Sequence, residues 1–447
     1  MNRDLTTGNI TKSLLWFAFP IMLGNLLQQF YNVADTIIVG QFLGKEALAA
    51  VGSSYTLMTF LTSILLGLCM GSGVAFSICY GRKEMNKLRS DIFLSFCMIG
   101  GITILITVLV FTGLEVILQL LQVPSDIYGT MREYLWVIFW GIAATFFYNF
   151  FASLLRAAGN STVPLLFLGI SAALNIGLDL LFVIVFKKGV GGAAAATVLS
   201  QYISGIGILI YTWVWFPELR VDKRAMKWRW RVLKEIFHLS FLTCMQQSVM
   251  NFGILMVQGL VNSFGSAVMA AFSAAVKIDS FAYMPVQDFG NAFSTFVAQN
   301  YGAGKKERIQ EGVRGAVRTS FLFSTAVSIV VFVFARPLMM IFVKPYETEI
   351  LQVGVNYLRI EGSFYCLIGF LFLLYGYFRA VTRPGISLVL TVISLGIRVV
   401  LAYVLSSVST FGVNGIWAAV PIGWMFADIV GYIYYRKYSG RNPVNEK

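Results

Sequence analysis

Charge is scarce in this chain. Of its 447 residues only 12% are Asp, Glu, Lys or Arg, against roughly 25% in a soluble domain. Histidine occurs once, at His238, which leaves zinc-site and His-based catalytic readings almost without support. The five cysteines, Cys69, Cys79, Cys97, Cys244 and Cys366, form no Cys-x-x-Cys pair and sit in apolar runs. They read as packing residues, with neither metal nor disulfide implied. A nucleotide-binding P-loop is missing, so ATP hydrolysis by this chain is not expected. No repeated selectivity-filter sequence or large ligand domain argues for a channel or receptor. The chain therefore reads as a non-enzyme that needs no cofactor.

Hydrophobic length takes the place of charge. The composition is 57% hydrophobic and the mean hydropathy is +0.75. Apolar runs of 20 or more residues recur along the chain, each long enough to cross about 30 Å of hydrocarbon. The expected fold is an all-α polytopic membrane protein with twelve transmembrane helices. Spans are read near 13–38, 46–78, 89–113, 128–156, 163–187, 191–216, 234–259, 268–299, 312–336, 351–380, 386–408 and 413–437. Residues 1–12 are polar, and no cleavable signal is evident.

The chain is one design written twice. Shifted by 221, Gly44, Ala49, Phe60, Tyr80 and Gly81 fall on Gly265, Ala270, Phe281, Tyr301 and Gly302. Shifted by 223, Tyr134, Phe147, Arg156, Gly189 and Tyr211 fall on Tyr357, Phe370, Arg379, Gly412 and Tyr434. Such a repeat in a hydrophobic chain is a signature of secondary transporters, whose halves rock around a central site. It divides the chain into an N-terminal six-helix lobe (1–217), a basic linker (218–234) and a C-terminal six-helix lobe with a short tail (235–447). An even number of spans per half makes the halves pseudo-twofold related about the membrane normal.

Basic residues orient the chain. Of 34 Lys and Arg, 24 fall on the termini, the linker and alternate loops, and six fall on the opposite loops. The positive-inside rule then puts both termini in the cytoplasm of a plasma-membrane protein. The linker's Arg220, Lys223, Arg224, Lys227, Arg229, Arg231 and Lys234 interleave with Trp228 and Trp230. Beside a bilayer this pattern reads as a headgroup-facing segment, not a nucleic-acid interface. The expected partners are the lipid bilayer and small-molecule substrates, with the chain acting as a monomer.

Ionisable groups within spans are costly, so each is a functional candidate. By helix counting, Asp35, Asn175, Asp179 and Thr197 lie roughly 8–14 Å from the outer surface. Asn175 and Asp179 are one turn apart on one face. Two carboxylates, an amide and a hydroxyl offer hard oxygen ligands for Na⁺, or a place for a proton. The repeat replaces them with Met256, Arg398, Ala402 and Val420, so the constellation exists once. Its specificity to one copy argues against a purely architectural role. Pro20, about four turns before Asp35, is either a static kink or a hinge. The second half carries Lys277, Asp279, Glu361 and Arg398, expected to form a paired charge network with at least one ion pair. Asp288 and Asp428 lie near the midplane. Phe147, Tyr148, Gln246, Gln247 and Met256 are candidate liners of a substrate cavity.

These residues also carry a resemblance. Pro20 with Asp35 in Tyr31-Asn32-Val33-Ala34-Asp35-Thr36, Asn175 and Asp179 in Leu174-Asn175-Ile176-Gly177-Leu178-Asp179, and Thr197 after Gly192-Ala193-Ala194-Ala195-Ala196 resemble the multidrug and toxic compound extrusion (MATE) family, DinF-like branch. Leu155-Arg156-Ala157-Ala158-Gly159-Asn160 and Gln299-Asn300-Tyr301-Gly302-Ala303-Gly304 resemble its cytoplasmic turns. The resemblance implies two six-helix lobes and export of organic cations or amphiphilic drugs in exchange for Na⁺ or H⁺. It also implies a first-lobe cation site at Asp35, Asn175, Asp179 and Thr197. Another branch places acidic coupling residues in spans seven and ten. Here span seven offers Gln246 and Gln247, and Glu361 is the only acid of span ten. The rival reading is a flippase of lipid-linked saccharides in the same superfamily, which a strongly cationic cavity would favour. A major-facilitator carrier is disfavoured by the loop Gly81-Arg82-Lys83-Glu84-Met85-Asn86.

Overall fold

The structure, a computed structural model, describes residues 4–121, 123–408 and 410–439. Arg3, Arg441 and Lys447, counted above for orientation, lie outside the described residues. The first half runs through α1 (Ile10–Phe42), α2 (Lys45–Arg82), α3 (Met85–Thr112), α4 (Leu114–Leu120), α5 (Ser125–Ile138), α6 (Gly141–Ala157), α7 (Thr162–Asp179) and α8 (Gly189–Trp215). The second half runs through α9 (Trp230–Asn262), α10 (Ser266–Gly302), α11 (Lys306–Val333), α12 (Ala335–Met339), α13 (Thr348–Gly362), α14 (Tyr365–Ala380), α15 (Pro384–Ser406) and α16 (Gly412–Ser439).

The repeat is visible in the backbone. Left-handed residues end or start helices at matched positions: Gly44 and Gly265, Lys83 and Gly304, Gly159 and Thr382, Gly189 and Gly412. A positive φ costs an L-residue steric strain that glycine avoids. Its recurrence at four turns therefore shows that both copies chain their helices by the same turn geometry. The short helices α4 and α12, which the apolar runs did not reveal, start at matched positions too.

Among the described residues nine helices are long and apolar enough to cross a membrane, and two bent pairs bring the total to eleven. The remaining long helix, α9, has 33 residues and carries Gln246, Gln247, Asn251 and Gln258. One expectation needs correction. Spans four and ten are not continuous: α5 meets α6 at 42°, and α13 meets α14 at 51°. At the first break Phe139 and Trp140 do not interrupt the apolar run; at the second the sequence Arg359-Ile360-Glu361-Gly362-Ser363 is polar, but its charges read equally as groups within one continuous span.

The chain groups into two compact units. Unit 1 takes the N-terminal segment through Gly8, Phe19–Cys244 and Ala298–Gly304; unit 2 takes Asn9–Ala18, Met245–Val297 and Lys305 onward. These boundaries fall inside helices: α1 changes unit just before Pro20, and α10 changes unit in its last two turns. The core of unit 1 is aromatic, with Phe150 packed edge-on against Phe76 and Phe96 at 5.9 and 5.4 Å. In unit 2 the fully buried Trp417 stacks on Phe272 at 5.4 Å and meets Tyr357 edge-on at 4.9 Å.

Candidate ion-coupling site

In unit 1, α7 and α8 pack side by side. Asn175 and Asp179 project from one face of α7 and are only 1% and 0% exposed. Asn175 Nδ2 donates to Thr197 Oγ1 on α8 at 3.1 Å. The α-helical turns of α7 end at Asp179, and residues Leu180–Val185 continue as a π-helix. Such wide turns are frequent at functional sites. The Asp179 carboxyl faces that of Asp35 on α1 within hydrogen-bonding reach. The four residues singled out in the sequence thus meet as two pairs, Asn175 with Thr197 and Asp179 with Asp35, one helical turn apart on α7.

Acceptors outnumber donors in that group. Asn175 Oδ1, Asp35 Oδ1 and both Asp179 oxygens are buried and, among the described residues, have no hydrogen-bond partner. Two ionised carboxylates in this position repel each other in a medium that screens poorly. A proton shared between them, or a small cation, would supply the missing positive charge. The oxygen set suits a hard ion such as Na⁺. It contains only two acidic ligands, and no group of three or more His, Cys, Asp or Glu occurs among the described residues.

One member of the neighbourhood escaped the sequence reading. The buried Tyr134 of α5 lies within electrostatic range of both Asp35 and Asp179. Its repeat partner Tyr357 stands beside Asp279 and Glu361 in unit 2. The Tyr134–Tyr357 match was legible as part of the repeat; its proximity to acidic groups in both copies was not.

The second-half charges are arranged differently from the expectation. Asp279 is buried and accepts hydrogen bonds from Tyr365 Oη at 2.6 Å and Tyr357 Oη at 3.5 Å. Glu361, also buried, and Arg398 lie within electrostatic range of it. Among the described residues, however, no ion pair within 4.0 Å joins any of these groups. Lys277 stands apart, exposed, with its ammonium 6.0 Å from the Phe342 ring centroid. Residues two apart on a helix point to different sides, so Lys277 and Asp279 cannot share a face of α10. The network is Asp279, Glu361 and Arg398 with two tyrosines, without Lys277. Asp428 of α16 has both oxygens buried and unpartnered among the described residues.

The proposed cavity liners fall in two groups. Phe147 and Tyr148 belong to unit 1, where Phe147 packs on Phe96 and Phe146 and Tyr148 Oη donates to the Pro164 carbonyl at 3.0 Å. Gln246, Gln247 and Met256 belong to α9 in unit 2. Gln246 is buried with Oε1 unpartnered among the described residues, Gln247 is half-buried and Met256 is exposed.

Comparison with known proteins accounts for both the repeat and the fold. The family model MatE matches the chain twice, over residues 20–181 and 240–404. The probable multidrug resistance protein YpnP of Bacillus subtilis (strain 168) is 31% identical over 435 residues, covering 97% of this chain and 96% of that protein. The probable multidrug resistance protein NorM of Thermotoga maritima is 28% identical, covering 94% and 90%. Among solved structures, a multidrug resistance MATE family transporter in an outward-facing conformation superposes with a TM-score of 0.92 at 24% identity, covering 98% of each chain. The two matches of the family model, together with a relative above 30% identity along nearly the whole length, place this chain in the MatE family of multidrug and toxic compound extrusion transporters.

Proposed function

We propose that the protein is a secondary active exporter that exchanges extracellular H⁺ or Na⁺ for intracellular organic cations or amphiphilic drugs by alternating access. The observation that carries this reading is the Asp35–Asp179 pair beside Asn175 and Thr197, in which Asp35 Oδ1 and both Asp179 oxygens are buried and without a donor among the described residues. An ion entering from outside neutralises the pair. Neutralisation weakens the hold on a cationic substrate and removes the repulsion between α1 and α7. α1 then bends at Pro20, where a backbone hydrogen bond is already missing and where the helix passes from one compact unit to the other. Coupling follows because ion and substrate favour different conformations. The protein works as a monomer in the plasma membrane with both termini in the cytoplasm.

The test uses purified protein in liposomes loaded with a cationic dye, with a pH gradient or a Na⁺ gradient imposed separately. Asp35→Asn and Asp179→Asn keep size and polarity while removing the titratable charge. Both variants are expected to insert normally and lose gradient-driven export. Export at wild-type rates by both would remove this site from the coupling mechanism.

A further inference from the structure

Residues 4–9, before α1, are polar apart from Leu5 and Gly8, yet Leu5 is fully buried. The segment has its own local order. Asp4 Oδ1 accepts from the Thr6 backbone N–H at 2.8 Å and from Thr6 Oγ1 at 2.6 Å. Gly8 turns the chain with φ at 71°, and Asn9 Oδ1 caps α1 through Lys12 N–H at 3.0 Å. Leu5 is thereby presented as the anchor of a compact strap.

Its socket is built from the last two turns of α10. The Leu5 N–H donates to Gln299 Oε1 at 3.3 Å, and the Leu5 carbonyl accepts from Asn300 Nδ2 at 3.2 Å. Gln299 Nε2 in turn donates to the Ala157 carbonyl at the end of α6, at 2.7 Å. Gln299 and Asn300 are fully buried. The same turns lie against α2: a Cβ at Gly81 would overlap the Gln299 carbonyl, and one at Gly302 would overlap the Ile78 carbonyl. Gln299 and Asn300 correspond in the repeat to Ile78 and Cys79, so the socket exists in one copy only. All of these residues belong to unit 1, although most of α10 belongs to unit 2.

We propose that the N-terminal strap is a detachable latch. Seated, Leu5 ties together the ends of α2, α6 and α10; unseated, it frees the last turns of α10 to leave α2. The latch therefore releases and re-forms in each transport cycle, an inference that rests on the alternating-access reading above. Several features fit a latch better than a permanent core. Among residues 4–9 only Leu5 is buried. Its partners are side-chain amides, which can re-pair with water when that face opens. The helix ends of α2 and α10 meet at Gly81 and Gly302, backbone close against backbone.

A reversible cross-link tests it. Leu5→Cys and Asn300→Cys are introduced together into a background in which the five native cysteines are replaced; the Leu5 carbonyl and Asn300 Nδ2 are 3.2 Å apart, and formation of the disulfide is read by mass spectrometry before transport is measured. Reduced protein is expected to export dye under the gradient, and oxidised protein to lose at least about tenfold of that rate, with recovery on adding reductant. Equal export before and after oxidation would overturn the latch. If the parent with native Leu5 and Asn300 fails to export at all, the transport reading falls instead. Hydrogen exchange on wild-type protein then judges the latch by itself: the amides of residues 5–8 should exchange at least about tenfold faster when substrate dye and gradient ion are added. Exchange that is equally slow under both conditions would make the strap a static part of the fold.

Discussion

The amide of Asn175 points its nitrogen at Thr197 Oγ1, 3.1 Å away, and so turns its oxygen, which has no partner among the described residues, the other way. The Thr197 hydroxyl acts as an acceptor in this contact. It thereby fixes which end of the Asn175 amide is held by α8 and which is left for an ion or proton-bearing partner.

Thr197→Val should therefore act indirectly. Valine preserves the shape but leaves the Asn175 amide without its acceptor, at a cost of about 1–3 kcal/mol. The expected result is normal insertion with the coupling-ion concentration for half-maximal export raised roughly tenfold. Thr197→Ser, which keeps the hydroxyl, should restore most of it. A Val variant that matches wild type would show that the amide is oriented by something else.

The second-half cluster is expected to serve stability first. Tyr365→Phe removes the 2.6 Å hydrogen bond to buried Asp279 and should cost about 1.5–3 kcal/mol, read as a lower unfolding temperature in detergent. Arg398→Ala should cost more, because it leaves Asp279 and Glu361 without the nearby cation. Arg398→Ala combined with Glu361→Ala should recover part of the loss. Lys277→Ala, at an exposed position away from the cluster, should stay within about 0.5 kcal/mol of wild type. Equal losses for Lys277→Ala and Arg398→Ala would contradict this division.

A control for pH dependence lies outside the spans. Glu115 of α4 accepts from Tyr128 Oη at 2.5 Å and from Arg132 Nε at 2.6 Å. The Tyr128 hydrogen bond and then Arg132 hold its carboxyl below the usual carboxylate range. A depressed carboxyl contributes above its unfolded value and loses that contribution as pH falls through the folded one. The pair thus stays ionised between about pH 5 and 8. Glu115→Gln should leave the pH profile of export unchanged over that window, whereas Asp35→Asn and Asp179→Asn should abolish it. A profile shifted by Glu115→Gln would move the proton-sensing group to α4.

Much was decided by the sequence alone, because the bilayer imposes one-dimensional rules. Backbone groups in hydrocarbon must bond within their own helix, so length and apolarity locate spans, and nearly all of the observed ends fall within a few residues of the reading. The doubled pattern Gly44–Gly81 and Gly265–Gly302 likewise announced two copies. Helix periodicity put Asn175 and Asp179 on one face, and matched depth grouped them with Asp35 and Thr197. Other features depend on packing between segments far apart in sequence, which no local pattern encodes. Only tertiary structure turned Asp35 toward Asp179 and brought Tyr134 beside them. It also left Asp279, Glu361 and Arg398 without an ion pair among the described residues and bent spans four and ten by 42° and 51°. The burial of Leu5 belongs to the same class. A lone leucine in a polar N-terminal segment has no periodicity to reveal it, and its socket on α10 lies almost 300 residues away.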